Sequence, residues 1–104
     1  MRPAIIVHGG AWDIPGELVE VHREAVWRAA LKGFKVLENG GSALDGVEAA
    51  VNLMEEDPNL DAGVGSFLNM DGVVELDAII VDGSTLKFGA VAAVVNGFNI
   101  DGFK

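Results

Sequence analysis

Three kinds of hydrophobic pattern follow one another along the chain, and each predicts a different element. Ala4 to Val7 is a continuous β-rich apolar run closed by His8-Gly9-Gly10. That is the pattern of a buried strand ending where the backbone turns sharply or meets something closely. From Glu17 to Glu38 the period lengthens to that of a helix. Leu18, Val21, Ala25, Val26, Ala29, Ala30 and Leu37 fall near one stripe, with Glu20, Arg23, Glu24, Arg28 and Lys32 opposite. Gly33 inside this pattern marks close packing rather than a break. Asn39-Gly40-Gly41 supplies the stop, and Ser42 with Asp45 three residues later resembles a capping box that starts a second helix. Ala43, Leu44, Val47, Ala50, Val51 and Met54 repeat at helical spacing until Pro58, because the residue before a proline is pushed out of the α region.

Alternation replaces the helical period afterwards. Ser66–Leu68 and Val73–Val81 read as strands around a turn at "NMDG", where Asp71-Gly72 is a hairpin signal. Gly83-Ser84 gives another turn, and a strand follows from Leu86 to about Val95. The order β, α, α, β, β, β is α/β in content (α+β), not a βαβ series. Helices are therefore expected on one face of a largely antiparallel sheet, in a single domain over residues 1–104.

Composition narrows the function classes. The formal charge of −9 would repel phosphate backbones and anionic membrane surfaces, so neither a nucleic-acid nor a membrane partner is expected. The absence of cysteine removes disulfides, thiolate metal sites and Cys nucleophiles together. The N-terminal apolar run is too short for a signal peptide, and no run approaches the ~20 residues of a membrane helix. The expectation is a soluble, cytoplasmic chain with no organic cofactor.

The segment "DPNLDAGVGSFLNMDGVVELDAIIVDG", Asp57 to Gly83, concentrates the candidate chemistry. Asp57, Asn59 and Asp61 take the first, third and fifth places of a calcium loop. The sixth, a required glycine, is Ala62, and the twelfth, a bidentate glutamate, is Leu68. Gly63-Val64-Gly65 lacks the third glycine and the following helix of a phosphate cradle. A solvated loop shaped by glycines is the bland alternative. Glu75 and Asp77 alternate along a strand as a paired carboxylate couple would, or as the polar face of a half-buried strand does. His8 and His22 have no sequence-local metal partner and read as structural histidines bonded to backbone. Ser66 is not in a nucleophile elbow, and Ser84 and Thr85, the only threonine, fall in a turn.

Read together and in order, "IIVHGGAW", "ENGGSALDGVEAAVNLMEEDP", "DAGVGSFLN", "GVVELDAIIVDG" and "LKFGAVAAV" resemble the N-terminal part of the plant-type asparaginases, or isoaspartyl peptidases. These are N-terminal nucleophile hydrolases. The resemblance implies a four-layer αββα sandwich and a precursor that cuts itself before a threonine. The freed hydroxyl attacks the side-chain amide, with its own α-amine as base. It also implies a structural sodium ion wrapped by main-chain carbonyls, here those of Met54, Glu55, Asp57, Leu60, Ala62 and Val64. Carbonyl ligation leaves no side-chain signature, so the Asp57 carboxylate is expected to matter little.

Asp61 stands where the family usually has an asparagine whose side chain approaches the nucleophile. It is the one residue of this chain expected to support catalysis. The resemblance lapses over residues 95–104, "VNGFNIDGFK". The nucleophile, the substrate-clamping arginine and aspartate, and the oxyanion donors are not in the chain. Its expected partners are the β-subunit of the same precursor, in an (αβ)2 assembly, and a small amino-acid or dipeptide substrate. Alone it is expected to be inactive. The alternative is a stand-alone, non-catalytic fragment that folds and self-associates.

Overall fold

The computed structural model describes residues 2–95, so nearly all of the divergent segment 95–104 lies outside the described residues. Helix α1 spans Val19–Glu38 and helix α2 Ala43–Glu55; strands β1 (Leu76–Asp82) and β2 (Lys87–Val94) follow. Short 3-10 turns at Gly16–Leu18 and Gly63–Gly65 complete the order. Both helices and the β2 strand lie within two residues of the expected bounds. Among the described residues no helix is long and apolar enough to cross a membrane.

The punctuation between the helices works as its residue types dictate. Gly40, at φ 90°, ends α1: its N–H donates to Leu37 O (3.1 Å), and Gly41 N–H donates to Val36 O (2.9 Å). This is the paired closure that a left-handed residue after a helix allows, at no cost when that residue is glycine. The capping box of α2 is complete. Asp45 N–H donates to Ser42 Oγ (3.1 Å), and Ser42 N–H donates to Asp45 Oδ2 (3.0 Å).

The two helices meet where neither has a side chain. Gly33 of α1 and Gly46 of α2 are both buried. A methyl group built on Gly33 would stand 2.7 Å from Gly46 O and 3.2 Å from Ala50 Cβ. The core around this crossing is made of small residues, with Ala25, Ala29 and Ala50 almost wholly buried and Leu60 added from the loop after α2. Gly33 therefore does serve close packing.

The β1–β2 hairpin is antiparallel, pairing Ile79 with Ala90, Val81 with Phe88 and Asp82 with Lys87. Its turn is held by Asp82, whose Oδ1 accepts from Ser84 N–H (2.9 Å) and Ser84 Oγ–H (2.7 Å). Those bonds favour the carboxylate and hold Asp82 below the ordinary aspartate range. Between the Leu76–Val94 and Ala78–Val91 pairs, Asp77 faces two residues, Ala92 and Ala93. Ala93 adopts φ 55°, and Asp77 Oδ1 accepts its N–H at 2.9 Å. The result is a bulge pinned by a carboxylate.

Two expected strands do not form among the described residues. Ala4–Val7 has no ladder partner; the segment instead lies over the helices, with Ile5 Cδ1 at Gly33, while Ile6 is 96% exposed. Ser66–Leu68 is likewise unpaired. The Asp71-Gly72 turn itself is present: Asn69 N–H donates to Val73 O (2.8 Å), and Asn69 Oδ1 accepts from Asp71 and Val73 N–H. Turn chemistry was legible there, but a turn does not oblige its arms to pair. The observed architecture is a helical pair beside a two-stranded antiparallel ribbon, with α2 touching β1.

Candidate functional site

One face of the molecule is concave. A cavity of about 1050 Å³ lies between the segment His8–Trp12, the C-terminal end of α2 (Val51, Met54, Glu55), loop residues 59–63 and 66–69, and the start of β1. Glycine lets the first wall approach α1: a methyl group on Gly9 would meet Val26 Cγ1 at 2.5 Å. Gly10, at φ 112°, turns the chain, and its N–H donates to His8 Nδ1 (3.1 Å). That hydrogen bond places the proton of the neutral His8 ring on Nε2. His22 is also structural. It is buried in α1, and its Nδ1–H donates to Leu18 O at 2.9 Å. Its Nε2 is buried with no hydrogen-bond partner among the described residues. The edge-to-face contact with Trp12, 5.6 Å between centroids, covers the ring, and Trp12 packs in turn against Phe67 at 6.4 Å. This aromatic column was not foreseen, because its members come from three separate segments.

The loop after α2 coils tightly. A methyl group on Gly65 would collide with Leu60 O and stand 2.7 Å from Pro58 O and 2.9 Å from Asp57 O. Only glycine admits three carbonyls this close. Of the six carbonyls expected to hold a cation, those of Asp57 and Leu60 belong to this convergence. Met54 O accepts Asp57 N–H (3.1 Å) and Ala62 O accepts Gly65 N–H (3.2 Å). Glu55 closes α2 on the cavity wall, and Val64 sits in the exposed 3-10 turn. A site of neutral carbonyl oxygens suits a hard monovalent cation. Gly63-Val64-Gly65 forms a turn and presents no phosphate-binding helix.

The side chains of this loop do structural work. Asp57 Oδ1 accepts from Asn59 N–H and Asn59 Nδ2–H, both at 2.9 Å, and Oδ2 lies 3.6 Å from Arg28 Nη2 on α1. The carboxylate thus has contacts of its own, within the loop and with α1. Asp61 lines the cavity, and its Oδ1 accepts Phe67 N–H at 2.9 Å. No group of three or more His, Asp or Glu able to hold a metal occurs among the described residues.

Glu75 and Asp77 both line the cavity, and Asp77 Oδ1 is engaged by Ala93 N–H. Ser66 is on the wall as well. Thr85 is in the hairpin turn, with Oγ1 accepting Lys87 N–H (3.2 Å), and is not among the cavity residues. Among the described residues, the chain thus brings together a pocket wall, an acid-bearing loop and a set of main-chain carbonyls crowded at Gly65.

Comparison with known proteins gives the family. The family model described as asparaginase matches residues 1–99. The chain is 52% identical over 96 residues to the isoaspartyl peptidase/L-asparaginase of Xenopus laevis, covering 92% of this chain and 31% of that protein. It is 51% identical over 94 residues to the protein of the same name from Danio rerio, covering 90% of this chain and 30% of that one. A plant-type L-asparaginase of Pyrococcus abyssi is 50% identical over 92 residues, 88% of this chain and 30% of the archaeal protein. The chain thus spans about 30% of the length of the relatives it matches. A match running through the glycine turn, both helices, the coiled loop and the hairpin leaves one conclusion: the chain belongs to the asparaginase family.

Proposed function

We propose that the chain is the N-terminal part of an amidohydrolase that cleaves the side-chain amide of asparagine or β-aspartyl peptide bonds. The observation that carries this reading is a cavity walled by the glycine turn, the coiled loop and Asp61, in a chain of this family. The remaining part, a β-subunit from the same precursor, supplies a threonine freed by autoproteolysis, with its α-amine as the base. Its hydroxyl attacks the amide carbonyl, ammonia or an amine leaves, and water releases aspartate from the acyl-enzyme. The second sheet of the αββα sandwich comes from that part as well, and two αβ units associate in the cytoplasm.

Within this scheme the chain's own residues shape and support. His8 and Gly10 hold the first wall in its turn, and Trp12 and Phe67 form an apolar side of the cavity. Asp61, joined to Phe67 N–H, presents its remaining oxygen as a hydrogen-bond acceptor beside the nucleophile. The carbonyls of Met54, Glu55, Asp57, Leu60, Ala62 and Val64 would hold a sodium ion, and their shared ligation would stiffen the loop that carries Asp61.

Hydrolysis by the complete protein, with mass measurement of its chains, tests the proposal. A subunit beginning with threonine, and release of aspartate from asparagine or β-aspartyl dipeptides, are expected. The isolated 104-residue chain is expected to release none. Turnover by the pure isolated chain, abolished by a point substitution in it, would overturn the division of labour. A complete protein inert towards both substrates would overturn the assignment.

A further inference from the structure

Two features of Asp57 coincide. Its carbonyl belongs to the convergence on Gly65, and its carboxylate is the contact between that loop and α1. The Asp57 side chain is only 12% exposed, against 59% for Arg28. A carboxylate so far from water needs partners, and it has them: both Asn59 donors on Oδ1 and the Arg28 guanidinium facing Oδ2. Asn59 N–H and Nδ2–H converge on one oxygen, which turns the chain at Pro58 and sets where the Asp57 and Pro58 carbonyls point. Arg28 belongs to a helix fixed by the Gly33–Gly46 crossing one turn further on, so it provides a rigid reference for the loop.

We propose that Arg28 and the Asp57 carboxylate are positioning residues for the carbonyl cradle, setting its affinity for a monovalent cation from outside the ligand shell. This inference rests on the sodium reading above. Residues that orient metal ligands without touching the metal commonly change affinity by ~10–100-fold when lost. An ion pair with one exposed partner belongs at the lower end of that range.

The test is thermal unfolding of the complete protein in sodium chloride, with choline chloride holding ionic strength constant. A cation bound only by the folded state raises the melting temperature with its concentration, and the onset concentration of that rise, near the dissociation constant, reports affinity. Arg28→Gln is expected to raise that concentration about tenfold, Asp57→Asn to raise it similarly, and Arg28→Lys to recover part of the loss. Arg28 is largely exposed, so its replacement leaves the fold intact. Arg23→Gln, which removes an ion pair confined to α1 with Glu20, is expected to leave the onset concentration in place. If the Arg28 and Asp57 variants melt earlier in choline and sodium alike, with that concentration unmoved, the pair is a brace and the proposal is overturned. If the parent protein shows no sodium-specific stabilisation, the cation reading falls and the positioning role falls with it.

Discussion

Replacing Gly33 by alanine sets two physical effects against each other. Helix propensity favours the change by about 1 kcal/mol, since alanine loses less backbone freedom on folding. Packing opposes it. The new methyl group would lie 2.5 Å from Ile5 Cδ1, 2.7 Å from Gly46 O and 3.2 Å from Ala50 Cβ. Ile5 can rotate its terminal carbon away at little cost. Gly46 O cannot, because it is helix backbone. Restoring an ordinary contact requires the helices to separate by roughly 0.5–1 Å, a gap that forfeits a quarter to a half of the dispersion energy across the crossing. Overpacking of this kind costs ~1–3 kcal/mol, or more where backbone must move. The immovable backbone contact puts the cost at the upper end of that range, so Gly33→Ala is expected to destabilise the fold by about 2 kcal/mol net. Urea unfolding followed by far-UV circular dichroism reads this as a lower midpoint at unchanged slope. Gly83→Ala, where nothing lies within 4 Å of the new carbon, is the control. A Gly33→Ala protein as stable as the parent, or more so, would refute the close crossing.

The bulge in the hairpin predicts a pair of opposite effects in thermal melts. Asp77→Ala removes the acceptor for Ala93 N–H and lowers stability by ~1 kcal/mol, while Ala93→Gly relieves the left-handed backbone and raises it by about the same. Equal behaviour of the two variants would remove the bulge from the account. Ser84 donors depress the Asp82 carboxyl in the folded state, so the stability from this turn is present above the unfolded carboxyl range of ~4. It is lost as pH falls through the lower folded value. Ser84→Ala should move the Asp82 titration in an NMR pH series upward, towards an ordinary carboxyl; an unchanged titration would break the assignment. Ile79, Val81 and Phe88 leave 62%, 49% and 70% of their surfaces exposed on one face of the ribbon. The isolated chain is expected to bind hydrophobic dye and to oligomerise, and Phe88→Lys to reduce both. A monodisperse parent that binds no dye would mean that this face is already covered.

Local chemistry was readable residue by residue. The capping box at Ser42, the glycine stop at Gly40, the Asp71-Gly72 turn and the backbone-bonded histidines all follow from short-range groups acting within a few residues. Family membership was legible too, because the order and spacing of glycines, helix stripe and hairpin are themselves sequence. Asp57 was legible only by half. Its place in the loop could be read, but the reach of Arg28 from another helix could not.

Where helices begin and stop and which turns form follow from neighbouring residues alone, since the forces responsible span one turn of chain. Which segments pair and which atoms meet depends on the packing of the whole. Ala4–Val7 has the composition of a strand, yet a ladder needs a neighbouring backbone, and packing lays this segment over the helices instead. The Trp12–His22–Phe67 column, the carbonyls gathered at Gly65 and the Asp77–Ala93 bulge each join residues distant in sequence or hidden in backbone geometry. Their positions depend on how closely α1 and α2 approach, and that distance is set by the mutual fit of Gly33 and Gly46.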